Sequence, residues 1–277
     1  MLRNLGPFSG VGNVDRMSSR RAVVTGASSG IGAATVRALR TSGWDVVGVA
    51  RRAARLEELA GDTGAEVFAA DLTQQADVDA LAEWLAQSGS VDALIHVAGG
   101  ARGTDRIEDG AVDDWQWMFD VNVLAAQRLV AALLPQLRAA AAVNGHADTV
   151  FLTSTAATTP YPGGGGYNAA KAAESMVPQV LRQELNGEPI RVIEIAPGMV
   201  QTEEFTLNRL GGDAEAAEQV YQGVENPLLA EDVADVVAYA VNAPGHVNLD
   251  LVLMRPVAQS AQHLLARGPL RVRGGQD

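Results

Sequence analysis

A tyrosine and a lysine stand four residues apart, at Tyr167 and Lys171, where a helical segment is predicted to begin. At this spacing the two side chains project from one face of a helix, one turn apart. A phenol has an ordinary pKa of about 10, too high for efficient proton exchange at neutral pH, and a nearby ammonium favours the phenolate. The pair therefore suggests an acid–base site, although the same spacing also occurs by chance in many chains.

Two further polar residues strengthen this interpretation. Ser154 lies 13 residues before Tyr167, at the end of a predicted strand, so its hydroxyl can face the same crevice. Asn122 falls inside a long predicted helix, where asparagine is a poor helix former. Each also has a structural explanation: a hydroxyl that completes a turn for Ser154, and a helix kink or an interhelical hydrogen bond for Asn122. Together they predict a catalytic set of Asn122, Ser154, Tyr167 and Lys171.

A glycine-rich segment, TGASSGIG at residues 25–32, follows the first predicted strand and opens a helix. Glycines let a backbone turn sharply and approach a pyrophosphate, and a helix N-terminus offers free N–H groups with the positive end of a dipole. A turn without a ligand is the alternative. The position after the first strand favours a dinucleotide site.

The end of the second predicted strand indicates which dinucleotide. An NAD site uses an acidic side chain there to bind the ribose 2′-OH, whereas this chain has Ala50 followed by Arg51 and Arg52. Two guanidinium groups suit a 2′-phosphate, so NADP is predicted, unless the arginines only solvate a helix start. Asp71, beyond the third strand, either accepts a hydrogen bond from the adenine amine or caps the following helix.

The elements that must position these residues form a regular alternation. Short Val/Ile-rich runs alternate with longer helical segments, which predicts an α/β fold: a single Rossmann-type, doubly wound parallel sheet of about seven strands with helices on both faces. The strand candidates are Ala22–Thr25, Val46–Ala50, Glu66–Ala69, Ala93–Val97, Thr149–Leu152, Arg191–Ile195 and Leu249–Met254. Helices are expected at Ala33–Thr41, around Leu56 and Leu59, around Val78, Leu81 and Leu85, at about Asp113–Ala141, and from near Tyr167.

One domain spanning residues 20–277 accounts for this pattern. The polar segment at about 203–223 follows the sixth strand, and ligands of open α/β sheets bind at the carboxyl ends of the strands, so this segment is predicted to be a lid. Residues 1–19 contain no continuous apolar stretch and are expected to be a flexible extension rather than a signal peptide, with Met17 as an alternative start.

Composition excludes several classes of function. The net charge of −12 argues against a nucleic-acid or anionic-membrane surface, and no apolar run is long enough to span a bilayer. The absence of cysteine excludes disulfides and thiolate chemistry, and suits a cytoplasmic location. The four histidines show no ligand spacing, so a metal hydrolase is set aside and no metal is expected. A small-molecule substrate is the expected partner.

Over about residues 20–255 the chain resembles the short-chain dehydrogenase/reductase family. The motifs are TGASSGIG (25–32), Asp71-Leu72, Asn122, Ser154, YNAAK (167–171) and PGMVQT (197–202). The resemblance implies that Tyr167 exchanges the proton with the substrate oxygen and that Ser154 holds this oxygen. It implies that Lys171 binds the nicotinamide ribose and acidifies Tyr167, and that Asn122 positions a relay water.

The cofactor contacts follow in the same way, with Val200 and Thr202 near the nicotinamide carboxamide. The expected NADP-binding residues are Gly26, Ser28, Ser29, Gly30, Ile31, Gly32, Arg51, Arg52, Asp71, Leu72, Ala98, Gly99, Tyr167, Lys171, Pro197, Val200 and Thr202. One departure is His96-Val97 where the family usually has Asn-Asn before Ala-Gly. Val97 cannot make the bond of the second asparagine, so local rigidity is expected to suffer more than activity. His96 is expected to be structural.

The tail resembles one branch of the family, which oxidises serine and related 3-hydroxy acids with NADP or reduces malonic semialdehyde. The resemblance rests on residues 244–249 and 254–260, together with Ala50-Arg51-Arg52 and residues 201–205. A 3-hydroxy acid needs a cation for its carboxylate, and Arg209 and Arg102 are the candidates, unless they are surface arginines. A ketone or 3-oxoacyl reductase of the same family is the first alternative. A non-catalytic NADP-binding regulator is the second, but it would have no reason to retain the four catalytic residues.

Members of the family commonly assemble through the long helices and the last strand, so a homotetramer or a dimer is expected. An aromatic-rich run on the long predicted helix either serves such an interface or belongs to the core: Trp115, Trp117, Met118 and Phe119.

Overall fold

The structure, a computed structural model, describes residues 20–272, so the expected extension at 1–19 lies outside the described residues. Within residues 20–272 the strands are β1 (Arg21–Thr25), β2 (Asp45–Ala50), β3 (Glu66–Ala69), β4 (Ala93–His96), β5 (Ala147–Leu152), β6 (Ile190–Pro197), β7 (Val200–Gln201), β8 (Leu228–Leu229), β9 (Leu251–Met254), β10 (Gln259–Ala261) and β11 (Leu264–Leu265). The seven predicted strands are all present and form one parallel sheet, in the order β3-β2-β1-β4-β5-β6-β9. The fold class is therefore as predicted.

The strand order reverses at β1, which pairs with β2 on one side and with β4 on the other. Val23 is opposite Val47 in β2 and opposite Leu94 in β4. A reversal of this kind leaves a crevice outside the carboxyl ends of the strands, which is where ligands of doubly wound sheets bind.

Helices cover both faces of the sheet and bury its apolar strands. One face packs against Val36, Leu39 and Val237, and the other against Leu81 and Leu129, all fully buried. The helices are α1 (Gly30–Thr41), α2 (Ala53–Thr63), α3 (Gln75–Ser88), α4 (Val112–Phe119), α5 (Ala125–Asn144), α6 (Gly165–Glu184), α7 (Phe205–Arg209), α8 (Ala214–Tyr221) and α9 (Ala230–Asn242). Burial on both faces explains why the strands are almost continuously apolar.

The long predicted helix is interrupted by a single wide turn. A π-helical turn at Asp120–Leu124 joins α4 to α5, and Asn122 lies within it. By length and mean hydropathy (1.3), the stretch Val112–Asn144 could cross a membrane. In the fold, however, Leu129, Leu133 and Leu137 are fully buried against the sheet, as in a core helix.

Two short two-stranded sheets, here called ribbons, were not predicted from the sequence. Strand β7 pairs with β8, and β10 pairs with β11, each over only two or three residues. The first ribbon brackets the predicted lid segment, which contains α7 and α8. Both ends of this segment are thus fixed beside the sheet, although its movement as a lid stays a prediction.

A buried ion cluster joins the amino ends of two central strands to the helix layer. Asp148 on β5 is fully buried and binds Arg191 Nε on β6 at 2.6 Å and Arg20 Nη2 at 2.9 Å. Arg191 Nη2 also donates to the Val241 carbonyl on α9 at 2.9 Å. Because every charge has a partner, the cluster ties three elements together.

Candidate active site

A cavity of about 940 Å³ opens at the carboxyl ends of the sheet strands. Every residue that the sequence assigned to cofactor binding lines it, and so do Ser154, Tyr167 and Lys171. Asn122 is the exception among the predicted site residues, because it is buried behind the wall. The structure thus brings together almost the whole predicted set.

The glycine-rich turn is sterically closed to larger residues. Gly26 has φ of +67°, and a Cβ on Gly32 would lie 2.2 Å from the Gly26 carbonyl oxygen. Helix α1 begins at Gly30, and the side chain of its N-cap residue, Ser29, makes no capping bond to the helix. The backbone N–H groups of the first turn therefore face the cavity, in a form suited to a pyrophosphate.

Arg52 forms an ion pair with a carboxylate side chain of the same protein. Arg52 Nη1 lies 2.7 Å from Glu204 Oε1, and Arg52 Nη2 donates to Ser28 Oγ at 2.8 Å. Ser29 Oγ donates to the other Glu204 oxygen at 2.9 Å. The hydrogen bond from Arg52 lowers the pKa of Glu204. The predicted 2′-phosphate pocket is therefore able to hold an anion, and Glu204, which the sequence did not single out, supplies one.

Arg51 and Asp71 complete the predicted cofactor rim. Arg51 is exposed at the cavity edge. Asp71 Oδ1 accepts hydrogen bonds from the backbone N–H and the hydroxyl of Thr73, at 3.0 and 2.8 Å. The N-cap of α3 is Gln74, so the interpretation of Asp71 as that helix's cap is wrong. Asp71 instead orders the turn that carries Leu72 into the cavity wall.

Tyr167 and Lys171 lie one turn apart on α6, both buried. Lys171 Nζ is 5.9 Å from the centre of the Tyr167 ring and donates to the Leu152 carbonyl at 3.1 Å. Burial raises the pKa of Tyr167 above its ordinary value, while the charge of Lys171 lowers it. The charge of Lys171 thus acts on the Tyr167 pKa in the predicted direction, but burial has the larger effect.

Ser154 follows β5 by two residues and caps a turn at the edge of the cavity. Its hydroxyl accepts the N–H of Ala156 at 3.1 Å, which caps the 3-10 turn Thr155–Ala157. The same residue lines the cavity beside Tyr167 and contributes a hydrogen bond that lowers the pKa of Tyr167. The structural explanation is therefore confirmed without excluding the catalytic one.

Asn122 ties the π turn to the loop after β4. Its amide donates to the carbonyls of Met118 (2.6 Å) and Gly100 (2.9 Å), and its Oδ1 accepts the N–H of Gly100 at 3.1 Å. The structural explanations expected for Asn122 are a helix kink and an interhelical hydrogen bond. The structure agrees with the first of these, because Asn122 lies in a widened helical turn. The relay-water role stays a prediction.

Thr25, the first residue of the glycine-rich motif, binds the loop that carries the His96-Val97 departure. Thr25 Oγ1 accepts the N–H groups of Val97 and Ala98 at 3.1 and 3.0 Å, and so joins β1 to the loop after β4. The expected loss of rigidity stays a prediction. His96 is buried with Nδ1 3.3 Å from the Thr25 hydroxyl, and burial lowers its pKa to about 3, so it is neutral.

Helix α7, in the predicted lid segment, brings an arginine and a phenylalanine to Tyr167. The Arg209 guanidinium carbon lies 5.4 Å from the centre of the Tyr167 ring, and the Phe205 ring centre lies 5.6 Å from it. Arg209 Nη1 donates to Tyr161 Oη at 2.8 Å. Arg102 instead stacks on Trp117 at 4.0 Å. Of the two candidate carboxylate ligands, Arg209 is the one beside the predicted acid–base residue.

The aromatic-rich run of α4 packs behind Tyr167, and only Trp117 of the run lines the cavity. Met118 is buried in one cluster with Tyr167 and Ala170, and Trp115, Trp117 and Phe119 pack against that cluster. The core explanation therefore applies to these residues.

Comparisons with known proteins agree with this geometry. A family model described as short chain dehydrogenase matches residues 20–209. The chain is 46% identical over 252 residues to an uncharacterized oxidoreductase of Mycobacterium tuberculosis, covering 91% of this chain and 97% of the relative. It is 39% identical over 241 residues to serine 3-dehydrogenase of Agrobacterium fabrum, covering 86% and 94%. Among solved structures, the closed form of serine dehydrogenase complexed with NADP+ matches with a TM-score of 0.82 at 32% identity, covering 90% of this chain and 100% of that one.

Proposed function

The chain belongs to the short-chain dehydrogenase family, and from that premise we propose that it is an NADP-dependent oxidoreductase acting on a small 3-hydroxy acid, such as serine, or on the corresponding semialdehyde. The observation that carries the proposal is the guanidinium of Arg209 beside the buried phenol of Tyr167. A carboxylate bound by that arginine would hold a 3-hydroxyl group near the tyrosine.

The residues of the cavity fit NADP. The tight turn at Gly26–Gly32, in which a Cβ on Gly32 would clash with the Gly26 carbonyl, lines the cavity with backbone, and Arg52 already binds a carboxylate there. Thr202 Oγ1 is buried without a hydrogen-bond partner among the described residues, which suits its expected place beside the nicotinamide carboxamide. Similarity to a serine dehydrogenase complexed with NADP+ supports the same cofactor. When bound, the nicotinamide supplies the hydride acceptor for oxidation and the hydride donor for reduction.

The protein's own residues handle the proton. In the oxidation direction Tyr167 Oη takes the proton of the substrate hydroxyl, and in the reduction direction it returns this proton. The Ser154 hydroxyl donates a hydrogen bond to the same substrate oxygen and so stabilises the charge that develops there. Lys171 lowers the pKa of Tyr167 and is available to the nicotinamide ribose.

Arg209 gives the site its preference for acids. Within residues 20–272 its hydrogen bonds go to Tyr161 and to the carbonyls of Gly103 and Gly163. These use three of the five N–H groups of a guanidinium, which leaves donors for a carboxylate. Because Arg209 ends α7, a bound carboxylate would also hold the predicted lid over the site. The serine 3-dehydrogenase relative supports this substrate class.

We further propose that the protein is a homo-oligomer, a tetramer or a dimer. The edge strand β9 exposes Leu251 and Leu253, which are 52% and 44% exposed. Apolar side chains on an unpaired sheet edge favour association with a second copy. Light scattering of the purified protein measures the mass of the assembly. The cytoplasmic location stays a prediction.

A turnover screen tests the proposed function. Purified protein is assayed with NADP+ and with NAD+ against serine, 3-hydroxypropionate and secondary alcohols that lack a carboxylate, and in reverse against ketones and a 3-oxoacyl thioester. We expect oxidation of the hydroxy acids with NADP+. Activity limited to substrates without a carboxylate would overturn the substrate class but leave the family. A preference for NAD+ would overturn the cofactor assignment.

A further inference from the structure

A buried carboxylate lies directly beneath the proposed catalytic lysine. Glu174 follows Lys171 by three residues on α6, is fully buried, and places Oε2 2.6 Å from Lys171 Nζ. Neither carboxylate oxygen has a hydrogen-bond partner within residues 20–272, so this ion pair is the close polar contact of Oε2, and Oε1 has none. A buried carboxylate is costly unless it is paired, so Lys171 is its main source of stabilisation.

The groups that face this pair come from three elements. His96 of β4 has Nε2 3.9 Å from Glu174 Oε1, but its pKa of about 3, caused by burial, keeps it neutral. Glu194 of β6 accepts hydrogen bonds from Thr153 at 2.8 Å and Ser175 at 2.6 Å. Tyr167 lies on α6 itself. The ammonium of Lys171 is thus shared between the phenol above it and carboxylates below it.

The position of Lys171 reflects this competition. Its Nζ is bound to Glu174 and to the Leu152 carbonyl, at the bottom of the cavity. The negative charge of Glu174 raises the pKa of Tyr167, opposing the effect of the lysine. Burial raises the pKa of Glu174 itself to about 7, so its charge changes within the pH range in which proteins work.

We propose that Glu174 is a positioning residue for the catalytic lysine. When ionised, it holds Lys171 inward and cancels part of the charge that favours the Tyr167 phenolate. When protonated, it releases Lys171 toward the cavity. The proposal rests on the proposed function, because it assigns Glu174 a part in the proton chemistry of Tyr167.

The composition of the chain allows a direct observation of this pair. Lys171 is its one lysine, so incorporation of [ε-13C, ε-15N]lysine gives a single side-chain NMR signal. We expect that signal to shift in one step centred near pH 7, as Glu174 ionises beside it. The measurement uses the unaltered protein and needs no variant. A lysine signal without a step between about pH 5 and 9 would overturn the proposal.

Kinetics separate a positioning role from a purely structural one. The measurement is a plot of log kcat/KM for alcohol oxidation against pH, in which ionisation of Tyr167 sets one limb. In Glu174→Gln the apparent pKa of that limb should fall by about half a unit or more, because a negative charge near the phenol is removed. Glu184→Gln, at the exposed end of the same helix, is the matched control and should leave the profile unchanged. If Glu174→Gln folds and the apparent pKa of that limb is the same as in the wild type, the proposal is overturned.

These outcomes are distinct from failure of the proposed function. If the wild type has no NADP-linked turnover, the proposed function fails, and the kinetic part of this inference fails with it. If the wild type turns over and only the Glu174→Gln limb is unmoved, the inference alone fails. Should Glu174→Gln not fold, the lysine signal of the wild type still decides whether Glu174 titrates against Lys171.

Discussion

Glu204 and Arg52 form an ion pair across the mouth of the cavity, with 2.7 Å between Oε1 and Nη1. The pair joins the first residues of the predicted lid to the end of β2, and Ser29 binds the second carboxylate oxygen. A 2′-phosphate that binds Arg52 must therefore take the place of a carboxylate that belongs to the chain itself. Entry of the cofactor would free the lid segment at one end.

The first prediction concerns Glu204→Gln. Removing the competing charge should tighten NADP+ binding by about two- to fivefold, the range expected for a half-exposed ion pair, and leave NAD+ binding unchanged. Titration calorimetry with both nucleotides measures the two Kd values. Glu203→Gln, at the exposed neighbouring position, is the control. An equal change for both nucleotides would show that Glu204 does not compete with the phosphate.

The second prediction concerns Arg52→Ala. Loss of a guanidinium that binds a phosphate should weaken NADP+ binding by about 10- to 100-fold, because charge-assisted hydrogen bonds are lost, with a much smaller effect on NAD+. The same nucleotide titrations measure this. Arg55→Ala provides the comparison, since Arg55 lies in the first turn of α2, three residues after Arg52, and pairs with Glu58 at 3.5 Å. Unchanged discrimination between the nucleotides would remove Arg52 from the phosphate site.

The third prediction concerns Arg209→Lys, which retains the charge but loses the planar fork. KM for serine should rise by about tenfold or more, with a smaller change in kcat, because the fork recognises a carboxylate through two hydrogen bonds. Steady-state kinetics with serine and with an alcohol lacking the carboxylate measure the effect. Arg102→Lys should change KM less. If both substrates lose activity equally, Arg209 supports the fold of the lid and not the substrate.

The fourth prediction concerns stability. Asp148→Asn leaves Arg191 and Arg20 without their shared carboxylate, and breaking a buried ion pair of this kind costs about 3–5 kcal/mol in the free energy of unfolding. Denaturant unfolding followed by circular dichroism measures it. The exposed pair Arg138–Glu188 supplies a control, since Arg138→Ala should have no resolvable effect. If Asp148→Asn unfolds at the same denaturant midpoint as the wild type, the cluster does not stabilise the sheet.

Most of the fold was predictable because it depends on local patterns. Buried parallel strands such as β4 and β6 are apolar runs between helical segments, and this alternation leaves few topologies open. The ribbon of β7 and β8 was missed because a strand of two residues is too short to show an alternation of apolar and polar residues. Its pairing also depends on contacts between residues far apart in the chain. The wide turn at Asn122 showed only as a polar residue inside a helix.

The catalytic residues were predictable for the same reason: Tyr167 and Lys171 are neighbours on one helix. The role of Glu204 was not predictable, because Glu204 lies 152 positions from Arg52 in the sequence and a contact at that separation leaves no local pattern. Glu174 did leave a signal, since it is an acidic residue on the apolar face of α6 one turn after Lys171. Thr25 opens the glycine-rich motif, but its hydrogen bonds from the Val97 and Ala98 N–H groups depend on the pairing of β1 with β4, which local spacing does not reveal.

The central claim is that the Tyr167 phenol carries the proton of an NADP-linked oxidation. Its most direct test compares Tyr167→Phe with the wild type in two measurements on one preparation: kcat for serine oxidation and the Kd of NADPH. Phenylalanine retains the ring that packs against Phe205 and Ala170, so the cavity should survive. We predict that kcat falls by about 100- to 10,000-fold, as expected on loss of a general acid–base group, while NADPH still binds. Turnover near the wild-type rate in a variant that binds NADPH would contradict the account.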